Sequence, residues 1–345
     1  MTTLPRPHPG TIPPTGLLIV AKPQGLTSHD VVARVRRLAG TKKVGHAGTL
    51  DPMATGVLVL GIGRATRLLT FVVGADKTYT ATIRLGQATV TDDAEGEVIE
   101  SRGAAGVTPT SLTEKVSMRI GPLLQRPSAV SAIKIDGQRA YARVRAGEEV
   151  DLPARPVTVH RFEILGAPRA LTVPGRAAGD DVPCGSEGDD AMPAALPDVP
   201  VLDVDVLVEC SSGTYIRALA RDIGADLGTG GHLTMLRRDQ VGPFTLDEAA
   251  TLEQLADSVQ AANDAARPAE TASALPVLSL TEATTRLFPS RVLDEATTRD
   301  LRIGRPIAPT GTPGLQAALA PDGRVVALIE DRGAHARPVL VLDPA

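Results

Sequence analysis

The densest chemical signal in this chain is a twelve-residue segment, Gly45-His46-Ala47-Gly48-Thr49-Leu50-Asp51-Pro52-Met53-Ala54-Thr55-Gly56. Its three glycines permit sharp bends or close approach of a ligand to the backbone. Pro52 biases Asp51 toward an extended conformation and removes one backbone donor. A carboxylate on such a loop can act as nucleophile or base. An Asp-Pro pair also starts ordinary turns, and the segment alone leaves both readings open. Other chemistries find less support. Gly61-Ile62-Gly63-Arg64 follows an apolar run but lacks the third glycine and the acidic ribose partner of a dinucleotide loop. The six histidines show neither an HExxH motif nor clustered metal spacing. Cys184 and Cys210 stand far apart without a CxxC pattern, which predicts neither a zinc site nor a disulfide framework and fits a reducing cytoplasm. No metal and no cofactor are expected.

The elements that must position Asp51 can be read from periodicity. Leu17 to Ala21 is a short strand. Ser28 suits a helix N-cap, followed by Asp30 in the first turn, a stripe of Val31, Val32, Val35 and Leu38, and Arg36 and Arg37 before Gly40. Val57 to Ile62 is an apolar strand. In Lys77 to Leu85, Tyr79, Ala81, Ile83 and Leu85 alternate with Thr78, Thr80, Thr82 and Arg84. Leu202, Val204, Val206, Val208 and Cys210 alternate likewise. Ile216, Leu219, Ala220, Ile223 and Leu227 then recur at helical spacing. Arg237-Arg238 suits a solvated helix end or a phosphate contact.

The length of 345 residues favours two domains. A proline-rich flexible leader covers about 1–15, and a patternless stretch of Gly, Asp, Pro and Ala near 174–200 reads as a disordered insertion. A composition shift at Ala261 to Ala274 marks a hinge to a small C-terminal module, with a helix near Leu293 to Leu301 and strands near Val325 to Ile329 and Val339 to Leu342. The total is an α+β chain. Nothing approaches a membrane-spanning apolar run, and the N-terminus has no export signal.

A net charge of −4 hides a strong asymmetry. Residues 1–90 carry 11 Lys and Arg against 3 Asp and Glu, whereas 172–206 carry 1 against 8 and 243–275 carry 1 against 6. Phosphate recognition depends on local basicity, so the N-terminal part is open to a nucleic-acid partner. Residues 276–345 balance at 8 and 8.

Several ordered blocks together resemble the bacterial TruB family, the stand-alone tRNA pseudouridine-55 synthases. Gly45 to Gly56 looks like the family's catalytic loop. Gly16-Leu17-Leu18-Ile19-Val20-Ala21-Lys22-Pro23, with Gly25, Thr27 and Ser28, is similar to its N-terminal motif. Lys77-Thr78-Tyr79 matches a lysine-x-tyrosine strand, and Ser131-Ala132-Ile133-Lys134 with Gly137, Arg139, Ala140 and Tyr141 a further block. Cys210-Ser211-Ser212-Gly213-Thr214-Tyr215-Ile216-Arg217 and Gly231-His232 through Leu236-Arg237-Arg238 complete the set. Departures exist: Ala21 and Val90 stand where aspartates are common, Arg126-Pro127-Ser128 replaces a double proline, and the 174–200 insertion is longer than in the family.

The resemblance implies a pseudouridine-synthase catalytic domain over 16–265, with a mixed, largely antiparallel sheet flanked by helices. It also implies a small β-rich, PUA-like RNA-binding module over 275–345. Asp51 is implied as the catalytic aspartate. His46 would contact RNA, Tyr79 would stack on the target base, and Arg217 would be the ion-pair partner of Asp51. Asp93, Tyr215 and Leu236 fall at further active-site positions. The expected reaction is isomerisation of uridine 55 in the T-loop of tRNA, by base flipping and without guide RNA, membrane or cofactor, in a cytoplasmic monomer. A tRNA-folding chaperone is the rival class, and the joint presence of Asp51, Tyr79 and Arg217 favours the enzyme.

Overall fold

The apolar run at Val57–Ile62 is continuous because both of its faces are covered. In the computed structural model it forms β3 (Thr55–Ile62), paired antiparallel with every residue of β1 (Gly16–Lys22). Side chains alternate along a strand, so the two strands feed two cores. Leu17, Ile19, Val57 and Val59 enter one with Ala317, Val325, Leu328, Leu340 and Leu342. Leu18, Val20, Leu58 and Leu60 enter the other with Val31, Val32, Val35 and Leu38 of α1 (Ser28–Leu38) and Leu252, Leu255 and Val259 of α5 (Leu252–Asp264). The short β2 (Val44–His46) also pairs with β3. A 3-10 segment, Gly63–Leu68, leads into α2 (Leu69–Gly74).

Residues 4–128, 134–135, 138–139, 153–175, 197–265 and 273–345 are described. Ser131, Ala132, Ile133, Gly137, Ala140 and Tyr141 of the fourth sequence block, Cys184, and most of the 174–200 insertion lie outside the described residues. The chain divides into two compact units, Met1–Ala75 with Gln240–Ala345, and Asp76–Asp239.

The first unit joins distant parts of the sequence. Leu17 exchanges backbone hydrogen bonds with Leu278, its N–H donating at 2.9 Å and its carbonyl accepting at 2.8 Å. Ala21 N–H donates to the Ala250 carbonyl, and Ala250 N–H to that of Ile19, both at 3.0 Å. In the N-terminal leader, the Arg6 carbonyl accepts from Asn263 Nδ2 at 2.8 Å and that of Leu4 accepts from Arg37. The same unit holds the small C-terminal β domain. β15 (Ser290–Val292), β16 (Leu315–Leu319), β17 (Val325–Arg332) and β18 (His335–Val341) form a sheet in that order. β15 and β16 are parallel and the other pairs antiparallel. α6 (Leu280–Leu287) and α7 (Glu295–Arg302) accompany it, and Asp294 caps α7 through the Thr297 amide at 2.7 Å.

The second unit is built on β4 (Lys77–Leu85) and β12 (Val199–Cys210), antiparallel from Leu202↔Leu85 to Cys210↔Lys77. The sheet continues through β10 (Arg155–Ile164) to β7 (Gly121–Gln125) on one side and to β13 (Gly231–Val241) on the other, with β11 (Arg169–Val173) beside β12. Two hairpin-like pairs, β5 (Gln87–Thr89) with β6 (Val98–Ser101) and β8 (Lys134–Ile135) with β9 (Gln138–Arg139), are separate. α3 (Pro109–Ser117) and α4 (Ile216–Asp226) are its described helices. Beyond the unit boundary, Gln240 and Val241 at the end of β13 pair with β14 (Phe244–Thr245). The result is an α+β fold with a mixed, largely antiparallel strand system, helices, and a small C-terminal β domain.

Two local readings are corrected. The N-cap of α1 is Thr27, in a reciprocal capping box with Asp30, and Ser28 is turned inward. The Thr27 hydroxyl and amide hold the Asp30 carboxyl below its ordinary range. Arg237-Arg238 is a strand segment of β13 rather than a helix end. Arg238 is only 1 % exposed, and Arg237 pairs with Asp239. No helix among the described residues is long and apolar enough to cross a membrane.

Because Leu58 fills the core between β3 and the helices, Leu58→Ala is expected to cost about 2–5 kcal/mol. Equilibrium unfolding in urea measures this as a lowered midpoint with unchanged slope.

Candidate active site

Asp51 sits on a loop whose neighbours on both sides are bound to the segment after β1. Gly48 and Gly56 adopt φ of 89° and 100°, left-handed values that a side chain would strain. The Leu50 amide donates to Ser28 Oγ at 2.9 Å, and that hydroxyl donates to the Leu50 carbonyl at 3.2 Å. The Ala54 amide donates to the Asp51 carbonyl at 3.1 Å, and the Gly25 amide to that of Pro52 at 2.8 Å. Lys22, 1 % exposed, donates from Nζ to the carbonyls of Pro23 (2.9 Å), Leu26 (2.6 Å) and Pro52 (3.2 Å). The buried ammonium is thus surrounded by carbonyl dipoles, which makes its burial tolerable. His46, at the end of β2, lies 5.4 Å from His29 between ring centroids, edge to face.

Tyr79, Asp93, Tyr215, Arg217 and Leu236 all belong to the second unit, whereas His46 and Asp51 belong to the first. Asp93 and Arg217 are brought together. They are 2 % and 4 % exposed, and Arg217 Nη1 lies 3.3 Å from Asp93 Oδ2. Arg217 Nη1 also donates to the Thr91 carbonyl at 2.8 Å and reaches Ser128 Oγ at 3.5 Å. Asp93 Oδ1 accepts from the Thr91 hydroxyl and, at 3.1 Å, from the Glu95 amide. One helical turn on, Arg221 Nη1 stands 3.3 Å from Asp92 Oδ2, and Nη2 donates to the Arg126 carbonyl at 2.8 Å. Asp92 holds φ of 59°, uncommon outside glycine though best tolerated by Asp and Asn. Burial raises its carboxyl pKa, with Arg221 opposing.

Tyr215 is the N-cap of α4 and is half-buried. Its amide and carbonyl are both taken by the Gln125 side chain, at 2.8 Å and 3.0 Å. Tyr79 is buried on the apolar face of β4, opposite Val208 of β12. Leu236 is buried on β13. Thr80, Thr82 and Arg84 project from the other face of β4, where they bond to Asp239, Asp205 and Asp203, the last as a bidentate pair at 2.7 Å and 2.8 Å.

Lys77 shares the apolar face with Tyr79, opposite Cys210. Burial, aided by the Arg238 charge, lowers its pKa from 10.5 to about 8. Cys210 is a core residue whose thiol burial pushes up to about 11.

Sequence reasoning missed Ser28, Gln125, Ser128 and the Asp92–Arg221 pair. The signal for Ser28 was the Thr27-x-x-Asp30 spacing, which moves the cap back one residue and turns the next side chain inward. Arg217 and Arg221 at i and i+4, matched to adjacent aspartates, were a readable pattern as well.

Comparison with known proteins adds the family. The model of the TruB family pseudouridylate synthase N-terminal domain matches residues 36–175. Two C-terminal models of tRNA pseudouridine synthases match residues 217–279 and 288–343. A relative from Arthrobacter sp. (strain FB24), described as tRNA pseudouridine synthase B, is 55 % identical over 340 residues, covering 96 % of this chain and 97 % of its own. The chain belongs to the TruB family. A TruB relative of the same description from Corynebacterium diphtheriae is 47 % identical over 334 residues, covering 96 % of this chain and 97 % of its own. Among solved structures, a Cbf5-Nop10-Gar1 complex matches with a TM-score of 0.66 at 24 % identity, covering 96 % of this chain and 85 % of that one. At that identity the likeness speaks for the TruB fold alone.

Lys77 yields a pH-dependent prediction. Its folded pKa of about 8 lies below the ordinary 10.5, so between those values the unfolded chain holds the extra proton and stability rises with pH. Above about 9 the raised Cys210 thiol opposes this gain. Between pH 8 and 9 the wild type should therefore gain about 1 kcal/mol of unfolding free energy from Lys77. Lys77→Met should flatten that rise in denaturant titrations.

Proposed function

We propose that this chain is a tRNA pseudouridine synthase, an isomerase that converts uridine 55 in the T-loop of tRNA, with Asp51 as its catalytic carboxylate. The observation that carries the reading is the match, nearly end to end, to relatives described as tRNA pseudouridine synthase B. The held loop around Asp51 supports the assignment of the catalytic group, because a nucleophile or base works best when its position is fixed in advance.

The reaction breaks the N1–C1′ bond, rotates the uracil and joins C5 to C1′. The proton lost from C5 balances the one gained at N1, so the net change needs neither an oxidant nor a group donor. The base must leave its stack, which costs a few kcal/mol. Tyr79 offsets part of this by stacking on the base, a contact worth about 1–3 kcal/mol. His46 contacts the RNA near the flipped base. Tyr215 and Leu236 shape the base site, and Asp93 holds Arg217, the residue assigned as ion-pair partner of Asp51. The T-arm is recognised without guide RNA by a cytoplasmic monomer, and the module over 275–345 adds RNA contacts to the catalytic domain over 16–265.

Incubating purified protein with an unmodified tRNA transcript, then mapping pseudouridine by nucleotide, tests this. Wild type should convert uridine 55, and Asp51→Asn should lose at least about 10³-fold in rate while still binding tRNA. Tight binding without conversion by wild type would leave the chaperone reading.

A further inference from the structure

We infer that Ser28 is a positioning residue for the Asp51 carboxylate; this rests on the assignment of Asp51 as the catalytic group. The backbone at Asp51 is set by the two peptide groups that flank its Cα. The preceding group contains the Leu50 carbonyl, which accepts from Ser28 Oγ at 3.2 Å, and the Leu50 amide returns a bond to the same oxygen at 2.9 Å. The following group contains the Asp51 carbonyl, held by the Ala54 amide at 3.1 Å. One hydroxyl therefore bonds both backbone groups of the residue before the carboxylate.

That hydroxyl is itself rigidly placed. Ser28 is fully buried, at 0 % exposure. It is the first residue of α1, fixed by the Thr27–Asp30 capping box and by the packing of Val31 and Val32. Lys22 and Gly25 grip Pro52 on the far side of Asp51, so loss of the Ser28 bonds would leave that flank anchored. Such a loss would then displace Leu50, and with it the neighbouring carboxylate, rather than release the whole loop. Displacement of a reacting group by about 1 Å can cost on the order of 100-fold in rate.

The test compares wild type, Ser28→Ala and Ser28→Thr, which keeps the hydroxyl. Three quantities are read: the single-turnover rate of pseudouridine formation at saturating protein, tRNA affinity, and amide hydrogen exchange of the tRNA-free protein. Ser28→Ala should lose about 10- to 100-fold in rate, bind tRNA as wild type does, and exchange Leu50 faster with β1 and β3 unchanged. Ser28→Thr should recover most of both effects. Full rate in Ser28→Ala overturns the inference, as does a joint loss of rate, affinity and strand protection, which marks a merely structural role. If Ser28→Ala does not fold, Ser28→Cys takes its place; its weak thiol acceptor should give an intermediate rate, and wild-type behaviour overturns the inference. Wild-type protein that forms no pseudouridine refutes the catalytic assignment of Asp51 instead, and Leu50 exchange still decides whether Ser28 holds the loop.

Discussion

The loop that carries Asp51 depends on a positive charge taken out of water. Lys22 closes β1 with its side chain directed inward, and the residue is 1 % exposed. A bare ammonium in such a place would cost several kcal/mol. Donation to the carbonyls of Pro23, Leu26 and Pro52 replaces its water shell with fixed dipoles. The arrangement works only if these three carbonyls converge, so it ties the end of a strand, the approach to a helix and the Asp51 loop into one geometry. Backbone carbonyls make this coupling insensitive to most side-chain changes in the loop, whereas an uncharged side chain at position 22 would lose all three bonds and leave the Pro52 carbonyl to the Gly25 amide.

The second unit solves a similar problem with paired charges. Arg217 and Arg221 lie on one face of α4 and meet the adjacent carboxylates of Asp93 and Asp92. Asp92 reaches its partner in a left-handed backbone conformation, held by the Leu233 amide on its carbonyl at 3.0 Å and by its own amide on Thr89 at 3.3 Å. A buried pair such as Arg217–Asp93 adds little net stability, and the partly exposed Arg221–Asp92 pair adds little as well. Their contribution here is to fix where the Arg217 guanidinium points. Gly224 lets α4 approach the turn before β13 closely, since a Cβ there would lie 2.3 Å from the Gly230 carbonyl carbon.

Much of this was legible in the sequence. The strands at Leu17, Val57, Lys77 and Leu202 and the helices at Val31 and Ile216 follow from period-2 and period-3.6 patterning, and the burial of Cys210 follows from its phase with Val206 and Val208. The inward turn of Ser28 and the burial of Arg238 were not legible by that route. Both are polar residues whose burial is decided by partners remote in sequence or by a neighbouring strand, and local propensity carries no record of either. Lys77 shows the same limit: its alternation assigns it to the apolar face, but composition alone favours an exposed ammonium.

The order in which the ribosome makes this chain has a consequence for β1. One edge of that strand is satisfied early, by β3, within the first 62 residues. The other edge waits for Ala250 and Leu278. At about 5–20 residues per second, on the order of tens of seconds pass before those partners emerge. Throughout that interval the nascent N-terminal segment carries an open, apolar strand edge of the kind that invites pairing with another chain. Messages translated by closely spaced ribosomes should therefore be the setting in which this protein is most prone to misassemble, and slower initiation should raise its soluble yield.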